Sequence, residues 1–472
     1  MDLLREALVQ SESLILTYFV ILNSFYALLL FLSVPELWKH WQIIKDDDLA
    51  RYLGSEALPA VSVMVPAYNM EASIVDSVEC LLALKYSNHE VIVVNDGSTD
   101  QTMELLREAF SLYEVSPESR STLGTKRVRA YYRSRNRPGI VVIDKDNGGK
   151  ADALNAALAV ARFPLVVAVD ADTLIEPDAL IRLARPFLLD PDVAAAGGTI
   201  RIANGCDMRH QRIVEPRVPH SFLAGMQVPE YLRAFLFGRL GWNVLGGTLI
   251  VSGAFGIFRR DYLLEIGGYR TGNVVEDMDL IVRLHKHLRE KGVRYSVPFI
   301  PDPVAWTEVP SDLTTLGRQR ERWHRGLVLT MASNWRMVFN PRYGVVGLVV
   351  FPFFFFGELL APLIEIVGLI ATAVGFYLGV VDLQAALLFL TAAWGYGMII
   401  TLTAVIMEES TFRTYRSFAD FLRLVGYALA EPFGYRQMTV LWRVDAFRCA
   451  LRGRHSWGDM KRRGFSHAGA DA

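Results

Sequence analysis

Two aspartates one residue apart, Asp170 and Asp172, are the first side chains whose type and spacing could do chemistry. They follow the apolar run Val166–Val169, which predicts a buried strand that ends at this point. Mg²⁺ binds one or two carboxylates together with substrate phosphates, so the pair could hold a divalent cation, Mg²⁺ or Mn²⁺. Such a cation neutralises a departing phosphate as a Lewis acid. Helix capping ahead of Pro177 is the alternative.

A second acidic pair, Glu276 and Asp277, precedes an amphipathic helix that runs through Leu284. We interpret Asp277 as a general base, which takes the proton from an acceptor hydroxyl in a closed, dry site. An N-cap role for either carboxylate is the alternative. Upstream, a run of small residues that includes Ser252 and Gly253 would let a sugar approach the backbone.

Three further positions are typical of a nucleotide pocket. Ala67 and Tyr68 follow one predicted strand, and Tyr68 could offer its ring to a base. Asp96 follows the next strand and could accept a hydrogen bond from that base, although an Asp-Gly turn explains it as well. The run Asp146–Asn155 opens a helix with two glycines, which favours anions at the helix N-terminus, and Lys150 could lie near a diphosphate. A solvated lysine is the alternative.

The elements that position these residues alternate between strands and helices. Val61–Val65, Glu90–Asn95 and Leu165–Val169 read as strands, and Ser73–Leu84 has helical periodicity. Alternation of this kind predicts an α/β domain with a mostly parallel sheet flanked by helices. Ligands of such sheets bind beyond the carboxyl ends of the strands, where the acidic motifs lie.

Apolar segments flank this domain and predict a membrane protein. Hydrophobic residues make up 52% of the 472-residue chain, and the net charge of −1 gives no sign of nucleic-acid binding. Leu14–Val34 and Leu383–Met407 are long enough to span a bilayer. Residues 344–381 form either one kinked helix or a broken pair. Residues 419–444 carry too much charge for lipid exposure and fit an interfacial or channel-lining helix.

Basic residues set the expected orientation. The tail Arg448–Arg463 is strongly basic and should stay in the cytoplasm by the positive-inside rule. Lys39, Lys45 and Arg51 follow the first span and place the α/β domain there too. Three spans with the amino terminus outside satisfy both constraints. We therefore expect a multi-pass protein of the cytoplasmic (inner) membrane, with its α/β domain facing the cytoplasm.

The segment Thr314–Trp335 predicts an interfacial helix that contacts membrane lipids, with Arg318, Arg322 and Arg325 on one side at helical spacing. A surface helix does not by itself explain why Gln319, Arg322 and Trp323 occur together. Trp323 offers a flat apolar face to a pyranose ring, and Gln319 offers amide hydrogen bonds to the same acceptor. Arg322 can reach a diphosphate.

These motifs, in this order and between apolar segments, resemble the family-2 processive glycosyltransferases, the group of cellulose, chitin, hyaluronan and poly-N-acetylglucosamine synthases. The resemblance rests on Asp96, Lys150, Asp170-Ala171-Asp172, Glu276-Asp277 and the Gln-x-x-Arg-Trp motif at Gln319. It implies a GT-A fold, inverting chemistry, a UDP-sugar donor whose uracil bonds Asp96, and a divalent cation. It also implies that the Gln-x-x-Arg-Trp motif holds the growing chain end.

Our leading hypothesis is a membrane glycosyltransferase that elongates a polysaccharide from a UDP-hexose or UDP-N-acetylhexosamine and exports the chain. One alternative is the transfer of a single sugar to a lipid-linked acceptor, and another is a non-catalytic scaffold that binds nucleotide or polysaccharide. An accessory subunit and a homo-oligomer are equally open. The expected division of the chain is a first span and linker (1–50), the GT-A domain (51–312), the interfacial helix (313–342), membrane helices (343–408), and interfacial or channel helices with a basic tail (409–472).

Overall fold

The computed structural model describes residues 2–46, 58–116, 123–209 and 212–452. These residues form two compact units. Among the described residues, the sheet unit takes Lys39–Pro216 and Leu245–Val309, and the helical unit takes the chain up to Trp38, Arg217–Val244 and the chain from Pro310 to Arg452. The segment Arg217–Val244 therefore belongs to the helical unit, although the sequence division placed it inside the 51–312 domain.

The sheet unit is built on one ten-stranded sheet and a separate hairpin. Its strands are β1 (Val61–Ala67), β2 (His89–Asp96), β3 (Leu112–Val115), β4 (Val128–Ser134), β5 (Ile140–Lys145), β6 (Leu165–Val169), β7 (Leu174–Ile175), β8 (Ala195–Ile202), β9 (Asp207–Arg209), β10 (Arg212–Glu215), β11 (Phe255–Arg259) and β12 (Phe299–Thr307). The order across the large sheet is β3-β4-β5-β2-β1-β6-β11-β8-β12-β7, and β9 pairs with β10.

The helices of both units follow the same chain-order numbering. They are α1 (Asp2–Asp46), α2 (Ile74–Leu82), α3 (Thr102–Ala109), α4 (Lys150–Val160), α5 (Ala179–Leu189), α6 (Phe222–Tyr231), α7 (Gly238–Val244), α8 (Arg260–Glu265), α9 (Glu276–Lys291), α10 (Leu313–Ser333), α11 (Phe351–Phe353), α12 (Ala361–Tyr377), α13 (Leu383–Leu390), α14 (Tyr396–Thr411), α15 (Phe418–Ala430) and α16 (Tyr435–Leu451).

The centre of the sheet is parallel, as the alternation predicted. Strands β5, β2, β1 and β6 run in the same direction. β11 lies antiparallel between β6 and β8. The predicted α/β class is confirmed. The segment from Ser111 to Arg137 supplies the antiparallel pair β3 and β4 at one edge.

Both faces of the sheet are covered, which explains why its central strands are apolar throughout rather than alternating. Val63 and Val65 of β1 face one core, where α2, α3 and α5 pack. Met64 of the same strand faces a second core, where Leu154 of α4 and Leu280 of α9 are buried. The helices on both faces begin just beyond the carboxyl ends of the parallel strands. The loops that lead from strand to helix therefore lie together at one edge of the sheet, the edge formed by these carboxyl ends.

Among the described residues, the helical unit contains two helical stretches long and apolar enough to cross a membrane. One is Gln10–His40, which lies within α1, and the other is Leu383–Thr411, which runs from the start of α13 to the end of α14. A third candidate is the pair Val346–Leu359 and Ala361–Tyr377, which is bent by 43°. Pro362 lies in the first turn after the break and has no N–H to continue the backbone ladder. Of the two forms expected for residues 344–381, the structure has the broken pair.

The charged residues among these helices pair with one another. Arg436 of α16 binds both carboxylate oxygens of Glu365, at 3.0 and 3.1 Å. Two turns further along α16, Arg443 Nη2 lies 3.1 Å from Glu358 Oε2. Arg233 donates to Glu431 at 2.9 Å. Each carboxylate is neutralised by an arginine of the same unit, which is how buried charges are tolerated in an apolar setting.

We predict that Glu365→Gln destabilises the protein, because it leaves Arg436 without its negative partner. The Glu365 side chain is 5% exposed. Breaking a buried pair of this kind costs about 3 kcal/mol. Thermal unfolding in detergent would measure the loss. The matched control is Asp445→Asn, which breaks a pair with Arg448 on the surface and should leave the melting temperature almost unchanged. Equal melting temperatures for the two variants would contradict the prediction.

Candidate active site

The ammonium of Lys150 joins three separate segments of the sheet unit. Its Nζ lies 2.6 Å from Asp170 Oδ1 and 2.9 Å from Glu276 Oε1, and it donates to the carbonyl of Gly253 at 3.2 Å. Lys150 begins α4, Asp170 follows β6, and Glu276 begins α9. The structure therefore brings together four of the residues that the sequence singled out.

Asp277 lies next to this cluster and is held by backbone groups. Its Oδ2 accepts a hydrogen bond from Gly253 N at 2.9 Å, and its Oδ1 accepts one from Met278 N at 2.8 Å. Each carboxylate oxygen has two lone pairs, so both can accept a further proton donor. The carboxyl group is thus fixed in place and still able to act as a base.

Burial raises the pKa of Asp277, and the neighbouring charge of Glu276 raises it further. The Lys150 ammonium and the two backbone N–H groups oppose this rise. For Lys150, burial alone would lower the pKa, but the carboxylates of Asp170 and Glu276 outweigh it and raise the pKa of the ammonium. Lys150 therefore stays charged at neutral pH, whereas Asp277 holds a proton more readily than an ordinary aspartate.

The loop that contains Tyr68 is fastened to the loop after β2. Asn69 has a left-handed backbone with φ of +52°, and its side-chain oxygen accepts from Thr99 N at 2.8 Å. Asn69 N in turn donates to Ser98 Oγ at 3.0 Å. Ala67 is buried at the end of β1, whereas Tyr68 is 49% exposed. The ring is accessible to a ligand, and its predicted contact with a base stays a prediction.

Asp96 lies buried between protein donors. Its carboxylate accepts from Lys145 Nζ at 2.6 Å, from Gly148 N at 3.0 Å and from Gly149 N at 2.7 Å. From the sequence we expected Asp96 to contact the base of the nucleotide, and we assigned no role to Lys145. The structure shows that Asp96 also holds the glycine loop that precedes Lys150.

The two aspartates proposed as cation ligands lie where β6 ends, and both are partly exposed. Among the described residues, no group of three or more histidine, cysteine, aspartate or glutamate side chains is placed to hold a metal ion. A pair of accessible carboxylates nevertheless suits Mg²⁺ or Mn²⁺, since these ions take one or two carboxylates and complete their coordination with water and phosphate. Asp170 and Asp172 therefore fit a cation that arrives with a phosphate-bearing substrate.

Sequence reasoning missed two side chains that hold the loop before α9. Asn155 of α4 bonds both backbone groups of Tyr269, with its Nδ2 2.8 Å from the carbonyl oxygen and its Oδ1 2.7 Å from the N–H. Arg283 donates to the carbonyls of Ile266 and Gly268 at 2.8 and 2.6 Å. These contacts fix the chain that leads into Glu276. Only the position of Asn155 in the glycine-rich run could have drawn attention to it.

The Gln-x-x-Arg-Trp residues lie on α10 in the helical unit. The helix is capped by Asp312, whose side chain accepts from Thr315 N at 2.9 Å. Gln319 is buried, and its Oε1 has no hydrogen-bond partner among the described residues. Trp323 is partly exposed and stacks with the guanidinium of Arg320, 4.5 Å from the ring centre.

The arginines of α10 differ in exposure, which their helical spacing did not indicate. We expected Arg318, Arg322 and Arg325 to share one side of an interfacial helix. Arg318 is exposed and Arg322 is partly buried, but Arg325 is buried. Arg320 is also buried, and it donates to Glu230 at 2.8 Å. The polar side of α10 therefore serves contacts inside the protein as well as the surface.

Comparisons with known proteins identify the family. The profile described as "Glycosyl transferase family group 2" matches residues 165–407, which is half of the chain. The profile described as "Glycosyl transferase family 2" matches residues 62–117. The chain therefore belongs to glycosyl transferase family group 2, as the motifs indicated.

Individual proteins are also similar to this chain, two of them in sequence and one in structure. The poly-beta-1,6-N-acetyl-D-glucosamine synthase of Staphylococcus aureus is 28% identical over 272 residues, or 57% of this chain and 55% of that protein. The synthase of the same name from Staphylococcus epidermidis is 25% identical over the same length. The match thus spans about half the length of these relatives. The mannosyltransferase PcManGT from Pyrobaculum calidifontis has a similar structure, with a TM-score of 0.51 and 19% identity over 89% of this chain and 99% of that one. This likeness confirms the predicted GT-A fold.

We predict that Gly253→Ala impairs glycosyl transfer without unfolding the protein. A Cβ at this position would lie 3.1 Å from Lys150 Nζ and 3.3 Å from Asp277 Oδ2, so both side chains must move. A small displacement of reacting groups can cost up to about a hundredfold in rate, and we expect at least a tenfold loss of kcat/KM. The control is Gly124→Ala, whose Cβ would meet nothing within 4 Å. Equal activity of the two variants would count against the site.

Proposed function

We propose that the protein is a membrane glycosyltransferase that transfers a hexose or N-acetylhexosamine from a UDP-sugar to a growing polysaccharide. The observation that carries the proposal is the Lys150 cluster, which places Asp170, the candidate cation ligand, and Asp277, the candidate general base, close together in a family-2 domain. The relatives named as poly-N-acetylglucosamine synthases support a polysaccharide product. They favour N-acetylglucosamine as the first sugar to test.

The donor would bind at the edge of the sheet where the loops meet. Tyr68 has an accessible ring for the base, and Asp96 retains acceptor capacity for one base N–H. The positive charge of Lys150 lies beside Asp170, where it would attract the diphosphate. Asp170 and Asp172 would hold the divalent cation, which supplies Lewis-acid neutralisation of the leaving group when bound. The similar structure of PcManGT is a complex with GDP-Man and Mn²⁺, which supports a metal-dependent reaction.

Asp277 would act as the general base in a single displacement. An acceptor hydroxyl attacks the anomeric carbon, its proton passes to the Asp277 carboxylate, and the bond from that carbon to the phosphate oxygen breaks. Nucleoside diphosphate leaves, and the configuration at the anomeric carbon is inverted. Backbone N–H groups of Gly253 and Met278 hold the carboxylate, so its position needs no adjustment during the reaction. Glu276 acts indirectly, by fixing Lys150 and by raising the pKa of Asp277.

The acceptor side is assigned to α10. Trp323 and Gln319 are the candidates for contact with the sugar chain, and Arg322 is the candidate for contact with the diphosphate. The buried oxygen of Gln319, which has no hydrogen-bond partner in the part of the chain that the structure describes, supports a polar ligand there. The candidate spans support location in the cytoplasmic membrane with lipid contacts, and we propose that the sheet unit faces the cytoplasm. Chain export through the same protein, with or without an accessory subunit, is part of this proposal.

Activity should fall as the pH decreases through the pKa of Asp277, because only the carboxylate can accept a proton. Since that pKa is raised, the acid limb of kcat/KM should have its midpoint above the ordinary aspartate value of about 3.9. Glu276→Gln removes a charge that raises the pKa, so the midpoint should move to lower pH. Lys150→Met removes a charge that lowers the pKa, so the midpoint should move to higher pH.

The test is a pH profile of kcat/KM for wild type and both variants, in which the midpoint is compared rather than the height. Midpoints that shift in the same direction, or not at all, would show that Asp277 is not the titrating base.

Asp277→Asn is expected to reduce kcat by at least about a hundredfold, since general base catalysis contributes that much or more. Unchanged turnover in this variant would end the proposed mechanism.

The function itself is tested by release of nucleoside diphosphate from purified protein in detergent. UDP-N-acetylglucosamine, UDP-glucose, UDP-galactose, UDP-glucuronate and GDP-mannose would be supplied separately with Mg²⁺ or Mn²⁺, and products would be sized on a gel. We expect UDP release from one donor together with a long, glycosidase-sensitive product. Addition of one sugar to a lipid extract would favour the lipid-linked acceptor. No release from any donor would contradict the proposal.

A further inference from the structure

A buried lysine that the proposed reaction does not use lies beneath the glycine loop. Lys145 ends β5, and its side chain has no exposed surface. It is the register partner of Asp96 in the parallel pair β2–β5, which brings the two side chains together where both strands end. A lysine is almost never fully buried unless it is paired. Its environment therefore has to supply the missing solvation.

Three oxygen atoms meet the Lys145 ammonium, one for each of its hydrogens. Asp96 Oδ1, Asp152 Oδ1 and the carbonyl oxygen of Asp146 each lie 2.6 Å from Nζ. The two carboxylates are themselves buried. This cluster has one positive and two negative charges, so the carboxylates repel each other unless Lys145 lies between them.

Asp96 links this cluster to the loop. The same oxygen that binds Lys145 also accepts from Gly148 N, and the other oxygen accepts from Gly149 N. A carboxylate has about four acceptor positions, so three are filled and one is left for a base. Lys145 thereby fixes the direction in which the last position of Asp96 points.

Asp152 supports the loop from the other side. Both of its oxygens accept from Lys126 N, at 3.2 and 3.0 Å. Gly148 passes so close that a Cβ on it would lie 2.5 Å from Asp152 Cγ. The loop is therefore held against Asp152 and bonded to Asp96, and Lys145 joins both carboxylates. Lys150 follows directly after this clamped segment.

We propose that Lys145 is a positioning residue for donor binding, which acts through Asp96 and Asp152 to set the loop from Asn147 to Lys150. This inference rests on the proposed function, because it takes Asp96 and Lys150 as parts of the donor site. Lys145 itself touches no substrate. Its role is to hold the acceptor atom of Asp96 and the ammonium of Lys150 at a fixed separation before the donor arrives.

The experiment compares full-length wild type with Lys145→Met in detergent, using UDP as the probe. Loss of the ammonium leaves two buried carboxylates in repulsion, so Asp96 should release the Gly148 and Gly149 amides. We expect UDP affinity to fall about tenfold and the donor KM to rise to a similar extent, with a smaller effect on kcat. Hydrogen exchange of the peptide around residues 144–152 should become faster.

A matched control separates positioning from general stability. Glu90 is as buried as Asp96, lies on the same strand, and likewise pairs with a basic side chain and a backbone N–H, both of Arg162. Glu90→Gln should lower the melting temperature but leave UDP affinity and exchange at 144–152 unchanged. If Lys145→Met does not fold, Lys145→Met combined with Asp152→Asn removes the repulsion as well, and it should still lower UDP affinity because Asp96 has lost the ammonium that orients it.

The outcomes distinguish this inference from the proposed function. A folded Lys145 variant that binds UDP as wild type does, with unchanged exchange at 144–152, would overturn the role of Lys145. Equal loss of UDP affinity in Glu90→Gln would overturn it too, because the effect would then be one of stability. If wild-type protein binds no UDP and transfers no sugar, the proposed function is contradicted. Unchanged hydrogen exchange at 144–152 in Lys145→Met would then also reject the role of Lys145 in holding the loop.

Discussion

The sheet unit depends on the placement of one positive charge among several carboxylates. Without Lys150, the carboxylates of Asp170, Glu276 and Asp277 would repel each other, and the two segments that carry them would have no common partner. The ammonium, which lies at the start of α4, joins the end of β6 to the start of α9. The same charge opposes the rise in the pKa of Asp277, so one contact sets both the shape of the site and its proton affinity.

Much of the fold followed from short-range patterns. The apolar runs at Val61–Val65, Glu90–Asn95 and Leu165–Val169 are strands in the structure, and the alternation with helices indicated the parallel centre. The antiparallel β11 could not be foreseen, because its neighbours β6 and β8 are chosen by packing between distant segments. The assignment of Arg217–Val244 to the helical unit was equally hidden, since apolar periodicity does not state which core a helix will join.

The site was predictable in its acidic residues and much less so in its supports. Asp170, Glu276 and Asp277 stood out because they belong to acidic pairs placed after a predicted strand and before a predicted helix, although helix capping explained such pairs as well. Lys145 and Asn155 did not stand out, because their partners lie 49 and 114 residues away and their role depends on burial. On α10, helical spacing grouped the arginines correctly in angle, but it could not show that Arg325 faces the interior.

The two outermost strands of the large sheet are short. On one side β3 has four residues, and on the other β7 has two. An exposed strand edge is a row of unpaired backbone groups on which another chain can assemble. A sheet of ten strands ending in such small segments offers little length for that pairing. Backbone pairing of a second chain with β3 or β7 is therefore limited to a few residues, even though the sheet that these strands flank is broad and strongly apolar.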